Sequence, residues 1–206
     1  MTAHLRAVTH GAIAVAALGI AFAACAQSSQ ASLAKEIVAS HSAAGKSFID
    51  LSIGRATYST SCGNVAGLTC QRGTTSYSLT GGNMLTENLG VQLTAMNLGK
   101  ADRAGGSVIA RGLNLSAVAR IPLGDSFGVE GKVGPTYGVT HVKSPQVAGL
   151  SSGRDSGFGI GYGVALDVAV ARGVHGSLGW EKHDFHFVGQ GRSAVKNLTL
   201  AVGYTF

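Results

Sequence analysis

Three groups of side chains in this sequence could do chemistry. The first is His175, Ser177 and Glu181. A hydroxyl nucleophile needs a base within hydrogen-bond reach and a carboxylate to orient that base. His175 and Ser177 are two apart, so on an extended strand they share a face. The second group is six dispersed charges, Asp50, Arg120, Glu130, Lys132, Asp167 and Glu181. These could line an ion path or neutralise one another. The third is Cys62 and Cys70, with no His, Asp or Glu between them. A metal site would lack ligands there, so in an exported chain the pair points to a disulfide closing a loop.

Two glycine patterns carry no nucleotide chemistry. Gly45-Lys46-Ser47 brushes against a phosphate-binding loop, but Ser40 stands where the first glycine must be, and a strand follows. Gly157, Gly159, Gly161 and Gly163 alternate along a strand with no helix after them. Their expected role is to make room for large groups on facing strands.

The elements that must position these residues are strands. From Lys196 the chain alternates strictly, with Leu198, Leu200, Val202, Tyr204 and Phe206 on one face and Asn197, Thr199, Ala201, Gly203 and Thr205 on the other. Similar alternation starts at Phe48, Ser76, Leu89, Gly112, Phe127, Gly157 and Val174. About eight strands of roughly ten residues result, the length a tilted strand needs to cross a bilayer. Short turns fall near Glu87, Asp125 and Arg172. Long loops are expected over 59–73, 100–106, 143–154 and 184–194.

Composition favours lipid over water on the apolar face. Only 13% of the 206 residues are charged, 31 are glycine, and the net charge is +6. A soluble sandwich would put charged faces outward, and these polar faces carry mostly Gly, Ser and Asn. The predicted fold is therefore all-β, an eight-stranded antiparallel up-and-down transmembrane β-barrel, closed because lipid tolerates no free edge. Residues 1–26 read as a signal peptide, with Arg6, an apolar run from Gly11 to Ala24, and an Ala24-Cys25-Ala26 site. Lipidation at Cys25 is the alternative processing. Residues 27–46 read as a periplasmic lead-in and 47–206 as the barrel.

Gly112-Leu113-Asn114-Leu115-Ser116 with the Pro122-Leu123-Gly124 turn, and the terminal Gly203-Tyr204-Thr205-Phe206, carry a resemblance to the OmpA-like transmembrane domain family. The resemblance covers about residues 47–206. It implies the outer membrane of a Gram-negative bacterium, and it makes Tyr204 and Phe206 resemble the signal read by the barrel-assembly machinery. It also implies a structural plug of lumen salt bridges. The chain stops at Phe206, so peptidoglycan anchoring by a further periplasmic domain is not expected.

By parity the six charges point into the lumen. An outer-membrane lipid A deacylase also sets a His-x-Ser pair and a Glu on an eight-stranded barrel, but here parity turns them away from lipid. The expected role is structural and surface-interactive, with no enzyme activity; the alternatives are a narrow ion or solute pore and a lipid A-modifying hydrolase. Extending each apolar stripe toward the long loops reaches Arg55, Arg111, Lys143, Arg154, Lys182 and Lys196, with no acid expected at that parity. Those cations would meet lipopolysaccharide phosphates, since charge on the lipid face costs only about 0–1 kcal/mol at the interface. The expected partners are outer-membrane lipid, the assembly machinery and a loop ligand; no nucleic acid, cofactor or metal is expected.

Overall fold

The computed structural model describes residues 45–59, 70–103, 106–124, 126–143 and 152–206. The expected signal peptide, nearly all of the lead-in, and Cys62 lie outside the described residues, and so does the expected disulfide. Among the described residues, nine strands form one antiparallel sheet: β1 (Ser47–Tyr58), β2 (Cys70–Gln71), β3 (Gly73–Met84), β4 (Leu89–Arg103), β5 (Gly106–Pro122), β6 (Phe127–Lys143), β7 (Gly153–Ala171), β8 (Val174–Phe187) and β9 (Gly191–Thr205). Eight of them make the wall; β2 is a two-residue piece on β4. Pairing of β1 with both β3 and β9, and of β4 with β5, closes the sheet into a barrel. Closure leaves the wall without an edge up to the level of Gly161↔His183, as a lipid environment requires.

Alternation sorts the side chains as the sequence predicts. Leu51 is 67% exposed and Phe158 68%, while Asn114 and Thr136 inside are 2% and 0%. In water so large an apolar outer surface would aggregate; in a bilayer it is the solvated face. Aromatic rings mark two levels on that face. Tyr137 contacts Phe158 and Tyr162 contacts Trp180 toward one end, and Tyr204 stacks on Phe206 toward the other. Aromatic girdles of this kind sit at bilayer interfaces.

Strands are longer than expected, and two of the four predicted long loops shrink. β4 runs to Arg103 and β5 begins at Gly106; β8 runs to Phe187 and β9 begins at Gly191. At 100–106 the strand is hidden in the sequence because a register shift between Asn97 and Lys100 breaks the period of two. At 184–194 it is hidden because Phe185 and Phe187 alternate with polar residues but face inward. β8 pairs with β7 only up to Gly161↔His183. Beyond that its end leans over the lumen, where Thr140 Oγ1 on β6 donates to His186 O at 2.6 Å.

The chain end closes the seam between first and last strands. Ser47 N donates to Phe206 O at 3.0 Å and Phe206 N to Ser47 O at 2.8 Å. Deleting Phe206 removes both bonds and the terminal ring. The expected outcome is less heat-modifiable, assembled barrel and more periplasmic degradation; unchanged assembly would remove the assembly role of this residue.

Candidate functional site

The lumen is built in two tiers. The lower tier, toward the short turns, collects all six sequence-predicted charges. Arg120 on β5 and Glu130 on β6 are direct register partners across the Pro122 turn, and Arg120 Nη2 donates to Glu130 Oε2 at 2.7 Å. Arg120 Nε lies 3.3 Å from Asp167 Oδ2, an ionic contact without hydrogen-bond alignment. Its guanidinium also sits 5.7 Å from the centre of the Phe48 ring. Lys132 Nζ meets Glu181 Oε1 at 2.5 Å, and Asp50 Oδ1 meets His175 Nε2 at 2.7 Å.

Two of these pairs join strands that are not neighbours. Lys132 and Glu181 both register against Gly163, and Asp50 and His175 both register against Gly203. The middle strand offers no side chain, so the groups on either side reach each other over it. A Cβ at Gly203 would stand 2.4 Å from His175 Nε2, and one at Gly161 2.3 Å from His183 Nδ1. The inward glycine row therefore makes room for large groups, as predicted.

Sequence reasoning missed the residues just above. His183 Nε2 reaches Glu181 Oε2 at 3.0 Å, and its Nδ1 reaches Thr136 Oγ1 at 3.1 Å. Asn114 Nδ2 donates to Thr136 Oγ1 at 2.9 Å and to Pro135 O at 3.1 Å, and Ser116 Oγ donates to Asn114 Oδ1. The signal was present: His183 shares the inward parity of Glu181.

The upper tier is apolar, contrary to the expected polar lumen. Tyr58, Met96, Leu98, Val108, Val142, Phe185, Phe187 and Val195 form one buried cluster. The Phe185 ring fits against Gly112 and Gly138, where a Cβ would stand 3.2 and 2.2 Å from it. Among the polar groups of the lower tier a cavity of about 30 Å³ remains, room for about one or two waters.

In the candidate hydrolase set Asp50, and not Glu181, is the carboxylate on His175. Glu181 is engaged by Lys132 and His183; Ser177 lines the small enclosed cavity. No group of three His, Cys, Asp or Glu among the described residues could hold a metal. Of the rim cations, Arg55, Arg111, Lys143, Arg154 and Lys196 are exposed on the outer face, and Lys182 is half-buried. Lys182 lies 5.4 Å from the Tyr162 ring centre and 4.0 Å from Asp184. The expectation of an acid-free rim is thus corrected: Asp184 shares the parity of Lys182, two residues on.

An apolar outer band, a closed wall and a filled polar-to-apolar lumen define a small outer-membrane β-barrel. The chain belongs to the outer membrane protein β-barrel domain family, whose model matches residues 13–206, and it is a protein of the Gram-negative outer membrane. The OmpA-like resemblance read from the sequence is borne out. Among solved structures it is similar to Neisserial surface protein A, at 14% identity and TM-score 0.61, covering 79% of this chain and 99% of that one. It is similar to OprG from Pseudomonas aeruginosa, at 18% and 0.55, covering 80% and 97%. It is similar also to Ail, the attachment invasion locus protein of Yersinia pestis, at 14% and 0.54, covering 79% and 99%. Identities this low speak to the fold. A comparison with curated proteins found no match.

Replacing Arg120 by Met leaves Glu130 and Asp167 facing each other in the lumen without their cation. Breaking a buried pair by removing one partner costs about 3–5 kcal/mol. Urea unfolding in lipid vesicles should show a loss of that order, partly restored by adding Glu130→Gln and Asp167→Asn.

Proposed function

We propose that this barrel has a structural and surface-interaction role: it reinforces the outer membrane and carries its loops to the cell exterior. The observation that supports this most is the filled lumen. Ion pairs occupy its lower tier and a packed apolar cluster its upper tier, a filling that favours a structural role over an open channel. The structural neighbour Ail is an attachment invasion locus protein, and surface contact is the corresponding role here, made through the loops at the end opposite Phe206.

The six rim cations fit the same role. Long Lys and Arg stems lie along an apolar wall and lift their charge to the headgroups. On the outer leaflet those are lipopolysaccharide phosphates, which arginine grips with two parallel hydrogen bonds. The terminal Tyr204 and Phe206 serve insertion by the assembly machinery.

The purified barrel in planar bilayers should show no unit conductance, and lipid A from cells with and without the gene should have the same mass spectrum. Stable conductance would assign a pore instead; a changed lipid A would assign an enzyme. A variant with Arg55→Gln, Arg111→Gln, Arg154→Gln and Lys196→Gln should co-purify with less lipopolysaccharide, read by native mass spectrometry. Equal retention would leave the rim without lipid preference.

A further inference from the structure

The upper part of β4 is bent by a device that serves one side chain. Leu98 points inward and is fully buried, so strict alternation would send Lys100 inward too, into the apolar cluster. It does not go there. The β4–β5 register shifts between Asn97 and Lys100, and the β3–β4 ladder stops at Tyr77↔Asn97. Ala101 takes the inward place at 2% exposure and Lys100 is exposed outside. β-bulges re-aim side chains in this manner.

The bulge is fixed from both faces. Gly99 has φ +74°, and a Cβ there would lie 2.2 Å from Thr75 O, so a larger residue does not fit. From the lumen side the Tyr58 hydroxyl donates to Gly99 O at 2.9 Å and to Leu98 O at 3.2 Å, and accepts from Ala110 N at 3.0 Å.

What Lys100 reaches is a polar cleft of about 300 Å³ on the outside of the wall, lined by Arg55, Gly73, Thr74, Thr75 and Lys100. The Arg55 guanidinium lies across Gly73, where a Cβ would stand 3.0 Å from its Nε and Nη2. Neither cation makes an ion pair with a described residue. Thr75 registers directly opposite Arg55, and Tyr77, two residues along the same face of β3, begins an apolar trough of about 520 Å³. Ala95 sits in register between Leu79 and Leu113, and its short side chain opens the trough between them. Arg111 and Asn97 stand at the trough's upper end.

We propose that this stretch of wall binds one anionic glycolipid of the outer leaflet, lipid A, with a phosphate monoester between Arg55 and Lys100 and an acyl chain in the trough over Ala95. The inference rests on the reading that the cationic rim faces lipopolysaccharide, and it turns a diffuse ring of charge into a single site. Two cations and the Thr75 hydroxyl, opposite Arg55 on the outer face, supply donors on several sides of a tetrahedral phosphate, and the fork of Arg55 takes two of its oxygens. A soluble anion would use the cleft alone; the adjoining trough selects a ligand that carries a chain.

The test uses the full barrel in lipid nanodiscs, with retention read by native mass spectrometry and thermal unfolding followed with and without lipid. The probes are bis-phosphorylated lipid A, the same lipid A after dephosphorylation, phosphatidylglycerol and a polysulfated sugar. Four variants are compared, each first checked for folding by heat-modifiable mobility. Arg55→Gln with Lys100→Gln removes the cleft's charge, and Ala95→Leu fills the trough without changing charge. Arg154→Gln with Lys196→Gln alters the rim elsewhere, and Lys46→Gln with Arg172→Gln removes two charges at the opposite end.

Lipid A should bind the parent barrel more tightly than its dephosphorylated form or phosphatidylglycerol. The Arg55/Lys100 variant should lose about tenfold or more in affinity, since charge-assisted hydrogen bonds contribute about 1.5–3 kcal/mol and tenfold is about 1.4. Ala95→Leu should weaken lipid A and leave the polysulfated sugar unaffected, and the Lys46/Arg172 variant should match the parent. An equal loss in the Arg154/Lys196 and Arg55/Lys100 variants would overturn the single site while sparing the rim reading. No preference for lipid A in the parent barrel would overturn both. Tighter binding of the polysulfated sugar, lost with Arg55 and Lys100 but indifferent to Ala95→Leu, would give the cleft to a soluble polyanion and overturn the lipid assignment.

Discussion

The lumen of an eight-stranded barrel is only wide enough for side chains to fill, and nearly every feature of this molecule answers to that width. A large inward group needs a small one beside it. His183 has Gly161, Phe185 has Gly138 and Gly112, and Phe48 has Gly82. The same economy decides which charges meet. Lys132 and Glu181 reach each other over Gly163, and Asp50 and His175 over Gly203. Glycine here acts as an absence that allows second-neighbour strands to bond, which ties the wall together across three strands at once.

Much of this was legible in the sequence, because a period of two needs no tertiary information. The outward stripes, the inward charges, the inward glycines and the three short turns follow from alternation alone. The pairing of Arg120 with Glu130 was legible as well, since one tight turn fixes their register. The Lys132–Glu181 contact was not, because it depends on the register of β7 against both neighbours. The upper end of the barrel was misread for two different reasons. Around Gly99 the period itself breaks. Along Phe185 and Phe187 the period holds but its meaning inverts, since above the charges the inward face becomes the apolar one. Hydrophobicity marks the lipid side only where the lumen is polar.

The cations at the rim show the limit of parity as evidence. Alternation found Arg55, Arg111, Lys143, Arg154, Lys182 and Lys196, but it could not find Lys100, which reaches the outside only through the bulge. Nor did it weigh Asp184 beside Lys182. What brings Lys100 out beside Arg55 is a backbone detour, anchored from inside by Tyr58 and made possible by Gly99.

The inward lean of β8 has a mechanical consequence. From Gly153 to Ile160, β7 is laddered to β6 alone, whereas below Gly161 it is held on both edges. The wall is thus a zipper fastened along its lower length and left open at the top of one seam. Rigidity is graded along the barrel axis: the tier holding the charges is hooped on all sides, and the outer end of β7 keeps one ladder, to β6, while its other edge lies against Asp184 and His186 of β8 without pairing. A molecule built this way can let its outermost surface yield to a contact while the part embedded in the membrane keeps its shape.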